Sequence, residues 1–181
     1  MKKRSTNIFE ATNSLKILGF LAADPEKEFF GREIQKALGI SRMGVYLTLE
    51  ILHRQKLIIR YVKGKFLSYS VDSINPIVKQ FKILNNIMAL EKLLQSLRSI
   101  SKQIVLYGSV GRGEDRVDSD IDLFILTAEL EAVKKKIPGF CLKKRVQAVI
   151  KTPSEWIEFK DKEPVFYDEV SRGVVLWEAN E

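Results

Sequence analysis

Apolar positions fall at helical spacing in some stretches of this chain and alternate with polar ones in others. Leu15, Ile17, Leu18 and Leu21 recur with the helical period, with Asn13 or Ser14 placed to cap the start and Asp24-Pro25 to end the run. A second short helix is predicted over Gly31–Leu38, with Ile34, Ala37 and Leu38 inward and Gly39 as its stop. Ser41 then caps a third helix that runs to about Gln55. Val45, Leu49 and Leu52 make its inner stripe, and Leu47 and Ile51 widen it. The pattern changes to strands over Leu57–Val62 and Phe66–Val71, joined by Lys63-Gly64-Lys65. Asn75-Pro76 breaks the chain. From Ile77 to about Leu97 a longer helix carries Phe81, Leu84, Ile87, Met88, Leu90, Leu94 and Leu97. A face that broad must bury, against a neighbouring domain or against its own copy in a dimer.

Beyond residue 100 the runs shorten. Ile104–Tyr107 and Leu123–Leu126 are apolar strands that bracket Gly108-Ser109, a charge-rich turn and Ser119-Asp120-Ile121-Asp122. Lys144–Ile150 reads as another strand, and Thr152-Pro153-Ser154-Glu155-Trp156 as the opening of a helix. Lys134-Lys135-Lys136 fits a solvated helix face, and Cys141 a small buried hydrophobe.

Composition narrows the classes. The chain has 181 residues, 45% of them apolar, long enough for one large domain or two small ones with real cores. A charged fraction of 29% with 9% aromatics excludes a wholly disordered or collagen-like chain. No apolar run approaches the roughly 18 residues that span a bilayer, and no h-region follows the basic start, so a soluble, cytoplasmic protein without a signal peptide is predicted. A single cysteine, Cys141, and a single histidine, His53, exclude a disulfide framework and a His/Cys metal cluster. Charge is uneven: residues 1–103 hold 18 Lys/Arg and 8 Asp/Glu, whereas residues 104–181 hold 12 and 15. The asymmetry predicts one part that meets a polyanion and another that does something else, the alternative being a generically basic, solvated surface.

Helix, helix–turn–helix, then hairpin is a recognisable order. The segment FFGREIQKALGISRMGVYLTLEILHRQKLIIRYVKGKFLSYSVD, within residues 10–75, resembles the winged helix-turn-helix domains of prokaryotic transcription regulators. The resemblance implies that the third helix enters a DNA major groove, with Ser41, Arg42, Met43 and Tyr46 nearest the bases and backbone. Lys63 and Lys65 at the wing tip would meet phosphates or an adjacent minor groove.

The chemistry-bearing stretch is QIVLYGSVGRGEDRVDSDIDLFIL. Gly108 permits close backbone approach to a ligand, and Ser109 offers a hydroxyl to a phosphate oxygen. Asp120 and Asp122, two apart on a strand, share a face and form an oxygen site suited to Mg²⁺ or Mn²⁺. This spacing resembles the DNA polymerase β-like nucleotidyltransferase superfamily, and within it the minimal nucleotidyltransferases, over about residues 84–181. The resemblance implies Asp120 and Asp122 as catalytic metal ligands and Gly108, Ser109, Arg112, Gly113 and Ser119 as nucleotide contacts. It also implies a third carboxylate on a later strand, where this chain has Gln147, a weak neutral ligand that cannot act as a base. Glu155 and Glu158 read as helix-surface residues. The bland alternative for the Asp pair is a solvated junction neutralised by Arg112 or Arg116.

The predicted architecture is α+β in two domains. A winged helix of three helices plus a hairpin (1–75) is followed by a linker or dimerisation helix (76–100) and an α/β nucleotidyltransferase fold with a mixed sheet (101–181). Three functions fit. One is a homodimeric regulator of double-stranded DNA whose second domain binds NTP and Mg²⁺. Another is an active nucleotidyltransferase that modifies a protein partner, in a toxin–antitoxin setting, with autoregulation by its winged helix. The third is a non-catalytic scaffold.

Overall fold

A computed structural model describes residues 12–140 and 144–179. The reading of Cys141 lies outside them. The chain divides into two compact units, Met1–Asn85 and Asn86–Glu181.

In the first unit α1 (Asn13–Ala23) is capped by Thr12, whose Oγ1 accepts from Leu15 N at 3.3 Å, so neither Asn13 nor Ser14 is the cap. Both fall inside the helix, whereas Thr12 stands just outside it in the extended conformation (φ −124°, ψ 153°) that lets a side chain reach back to the first free N–H groups. A short strand not foreseen from the sequence, β1 (Phe29–Phe30), leads into α2 (Gly31–Leu38), which Gly39 ends at φ +64°. Helix α3 (Arg42–Arg54) starts from Ser41, whose Oγ accepts from Gly44 N at 3.1 Å. Strands β2 (Ile58–Lys63) and β3 (Phe66–Val71) close on a two-residue turn, Gly64-Lys65. Gly64 takes the positive φ of 62° that such a turn requires at its first position. The sheet order is β1-β3-β2, all antiparallel.

Ile17, Leu21, Ile34, Leu49, Leu52 and Val71 form the core of this unit, joined by Val78 and Phe81 from the start of α4 (Pro76–Leu97). Leu47 and Ile51 do not widen the inner stripe of α3; they are 54% and 48% exposed. At 3.6 residues per turn Leu47 points about 200° away from Val45, and the core is already filled by Val45, Leu49 and Leu52.

The second unit begins with the rest of α4. Its elements are β4 (Gln103–Tyr107), the single turn α5 (Gly108–Gly111), β5 (Ile121–Leu126), α6 (Leu130–Lys136), β6 (Val146–Lys151), α7 (Pro153–Lys162), α8 (Pro164–Ser171) and β7 (Val174–Glu178). The sheet order is β6-β5-β4-β7, with β5 and β6 parallel and the other pairs antiparallel: a mixed sheet. Alternation along the strands builds two faces. Ile104, Leu106, Leu123 and Ile125 pack with Leu90, Leu93, Leu94 and Leu97 of α4. Val105, Tyr107 and Phe124 pack with Trp156, Phe166 and Val170 of α7 and α8. No helix among the described residues is long and apolar enough to cross a membrane.

Candidate functional site

The strand register assembles an acidic site on the α7/α8 side of the second sheet. Tyr107 pairs with Asp122 across β4 and β5, and Asp122 pairs with Gln147 across β5 and β6, so the three side chains stand at one level. Asp120, two residues earlier, joins that face, and Gln147 Nε2 donates to its Oδ2. Gln147 therefore stands beside the Asp pair as a neutral neighbour. Gly108 closes the site from β4. Its φ is +67°, and a Cβ there would collide with Asp122 Oδ2. Only glycine satisfies both conditions.

The loop between α5 and β5 is held from within. Gly113 is buried with φ +68°, and Glu114 N donates to Ser109 O at 2.8 Å. Buried Asp115 accepts from Lys144 Nζ and, at 3.4 Å, from Asn86 Nδ2. Lys144 also donates to Arg116 O at 2.6 Å. Ser119 Oγ accepts from Arg116 N at 2.8 Å, which engages that hydroxyl oxygen in the loop's own turn.

Sequence reasoning missed Glu169. Helix α8 lies against the sheet through Phe166, edge-on to Tyr107 at 5.5 Å, and through buried Val170. That packing carries Glu169, one turn after Phe166, into the site. Its Oε1 accepts from Arg112 Nη1 at 3.3 Å, while Glu114 Oε2 accepts from Arg112 Nε at 3.1 Å. Arg112 is thus engaged by Glu114 and Glu169, not by the Asp pair. A cavity of about 380 Å³ opens here, lined by Tyr107, Gly108, Gly111, Arg112, Glu169 and Arg172 among others. Glu155 caps α7 through Thr152 and Glu158 pairs with Lys162 at 2.7 Å, so both serve helix surfaces.

The electrostatics of the site are those of crowded acids. Partial burial, then Asp120 and then Glu169 push the Asp122 carboxyl above its ordinary range, against the pull of Arg112. Burial, followed by the charges of Asp122 and Glu169, pushes the Tyr107 hydroxyl up to about 12. Hydrogen bonds to Glu114 and then Glu169 raise Arg112, against burial. Two carboxylates and an amide on one face are hard oxygen donors of the kind that hold one Mg²⁺ or Mn²⁺. The crowding that raises Asp122 is the charge such an ion would relieve. Among the described residues no group of three or more His, Cys, Asp or Glu is placed to hold a metal, in keeping with Gln147 beside the pair.

The first unit presents a different surface. Arg42, Met43 and Tyr46 occupy the first turns of α3, with Met43 64% and Tyr46 54% exposed. Ser41 is the helix cap. Arg42, Tyr46, Arg32 and Lys65 line one cavity of about 570 Å³ between α2, α3 and the hairpin. Lys63 ends β2 and its Nζ lies 3.0 Å from Glu28 Oε2, so this lysine is paired within the unit while Lys65 stands on the turn.

A family model described as "Polymerase beta, Nucleotidyltransferase" matches residues 88–181. Among curated proteins none matches. Among solved structures, MepR, a transcription regulator of the Staphylococcus aureus multidrug efflux pump MepA, is 29% identical over 46% of this chain, with a TM-score of 0.39. The chain spans 64% of that structure's length. The S. aureus MepR–DNA complex is 27% identical, covering 49% of this chain and 75% of its own, with a TM-score of 0.38. The adhesin competence repressor AdcR of Streptococcus pyogenes is 19% identical, covering 52% of this chain and 69% of its own, at 0.35.

Proposed function

The chain belongs to the polymerase β nucleotidyltransferase family, and from that premise we propose a transcription regulator in which the second unit binds a nucleoside triphosphate with Mg²⁺ or Mn²⁺ and the winged helix reads double-stranded DNA. Asp120 and Asp122 hold the cation, and Gln147 keeps the Asp120 carboxylate oriented. Ser109, Arg112 and the backbone at Gly108 take the phosphates, while Gly113, whose N–H donates to Val110 O at 3.2 Å, shapes the loop around them. The bound ion neutralises triphosphate charge and polarises phosphoryl oxygens. On the first unit Arg42, Met43, Tyr46 and Ser41 address the duplex from α3, and Lys65, with Lys63 beside it, from the wing. One reading helix per chain suits a homodimer on two half-sites, with α4 as its pairing element. Such a protein works in the cytoplasm.

The observation that carries this reading is Gln147 in register with Asp122. The site keeps the pair that binds a cation, while its third strand position carries an amide that removes no proton. Binding is favoured over turnover. Calorimetry of the full chain with ATP and Mg²⁺ tests it, beside duplex binding across a salt series. The expected result is nucleotide affinity lost in Asp120→Asn, and duplex affinity that falls steeply with salt. No binding of either ligand by the native chain would sink the proposal.

One observation favours a second reading, an active nucleotidyltransferase acting on a protein partner. Glu169 brings a further carboxylate to Arg112 beside the site. Transfer of α-phosphate label from each NTP into a cell lysate checks it. A discrete labelled acceptor, absent with Asp120→Asn/Asp122→Asn, would establish the enzyme.

A further inference from the structure

Met43, Leu47 and Ile51 stand in one line on the solvent side of α3, at 64%, 54% and 48% exposure. None belongs to the core, whose inward stripe of Val45, Leu49 and Leu52 is complete without them. A line of large apolar side chains on a helix carries a hydration cost that a partner would remove. The surroundings identify the chemistry of that partner. Arg42 opens the same helix and lines one cavity with Arg32 and Lys65. Residues 1–85 carry 15 Lys/Arg against 7 Asp/Glu. The one acid on α3, Glu50, is tied to Arg60 at 2.9 Å, so the helix sets no unpaired negative charge against a polyanion. The surface asks for a partner that is strongly anionic yet offers apolar groups to a helix. In the major groove of duplex DNA the base edges carry one apolar group, the 5-methyl of thymine.

We propose that Met43 and Leu47 read thymine methyl groups, so that the sites this protein prefers carry thymine opposite these two side chains. The inference rests on the DNA-reading function proposed above and supplies its sequence preference. Arg42, at the helix start, contributes a charged contact to guanine or phosphate. The unbranched Met43 adapts to the groove, and Leu47 sets the next contact one turn along.

The test begins with sites selected by the full chain from a pool of random duplexes. In the best site each thymine is then replaced by deoxyuridine, which lacks only the methyl. Binding should weaken about fourfold for each contacted methyl, the factor expected from burying one such group. Met43→Ala and Leu47→Ala, both exposed and with circular dichroism unchanged, should each bind the thymine and uracil forms alike at one position. Equal binding of both forms by the native chain at every position overturns the inference and leaves DNA reading intact. Failure to select any duplex overturns both. An altered oligomeric mass in Leu47→Ala with the thymine preference unchanged overturns it in favour of a protein-docking surface.

Discussion

The first unit and the Asp pair of the second handle their acids in opposite ways. In the first, Glu50 is matched by Arg60 at 2.9 Å and Glu28 by Lys63 at 3.0 Å. The hydrogen bond from Ser68 and then that of Lys63 hold Glu28 below the ordinary carboxylate range. In the second, Asp120, Asp122 and Glu169 crowd together, Arg112 is shared between Glu114 and Glu169, and Asp122 is pushed up. A carboxyl whose pKa falls on folding has found its partners within the fold. One whose pKa rises is kept short of positive charge. The first unit matches these acids with its own cations, whereas the Asp pair of the second is left short of positive charge, the shortage that the proposed cation would fill.

That contrast can be broken by separating the two surfaces. Asp120→Asn/Asp122→Asn should lower Mn²⁺-dependent nucleotide affinity by more than about 100-fold, since loss of outer-shell groups alone costs 10–100-fold. Its duplex binding, read by fluorescence anisotropy, should not move; a parallel loss would show that the surfaces are not independent. Arg42→Ala should do the reverse, weakening duplex binding about tenfold with nucleotide calorimetry unchanged. Gln147→Asp sharpens the comparison by adding the missing charge. It should raise Mn²⁺ affinity several-fold, up to about tenfold, in an electron paramagnetic resonance titration. The smallest effect is on stability. Because the folded pKa of Asp122 lies above its unfolded value, the native chain holds that proton more tightly. The resulting penalty is absent below the ordinary carboxylate range and sets in as pH rises through the raised pKa. Metal-free Asp122→Asn should therefore melt higher than the native chain at neutral pH, by about 2 °C for a partly buried group still screened by solvent, and together with it at about pH 3.

What the sequence disclosed was whatever is written locally. Gly39 as a stop, Ser41 as a cap and the strand–glycine–Asp-x-Asp order each depend on a few neighbouring residues, and each is found in place. The readings that failed depended on where a helix starts or how it is rotated: Thr12, not Asn13 or Ser14, caps α1, and Ala37, expected inward on α2, is exposed. Leu47 and Ile51 are apolar, and composition cannot tell a core leucine from one kept for a partner; the angle to Val45 does. Strand β1 is two residues long, too short to show alternation, and exists because Phe29 and Phe30 find Tyr69 and Ser68 on β3. Glu169 had no local signal at all. A glutamate in a short amphipathic helix reads as solvated surface until Phe166 on Tyr107 turns that face of α8 toward the site.

The pairing of Asp115 with Lys144 has a consequence for how this loop can change length. Asn86, Lys144 and Ser119 fasten the ribbon at residues 115 and 116, whereas Val117 and Asp118 project into solvent. Additional residues placed between Val117 and Asp118 would bulge outward and leave the fastening intact. The same residues placed between Gly113 and Asp115 would pull Asp115 from its partner and shift the register on which the Asp pair depends. The loop is divided into a segment where length is free to drift and one where it is fixed, and the boundary is Arg116.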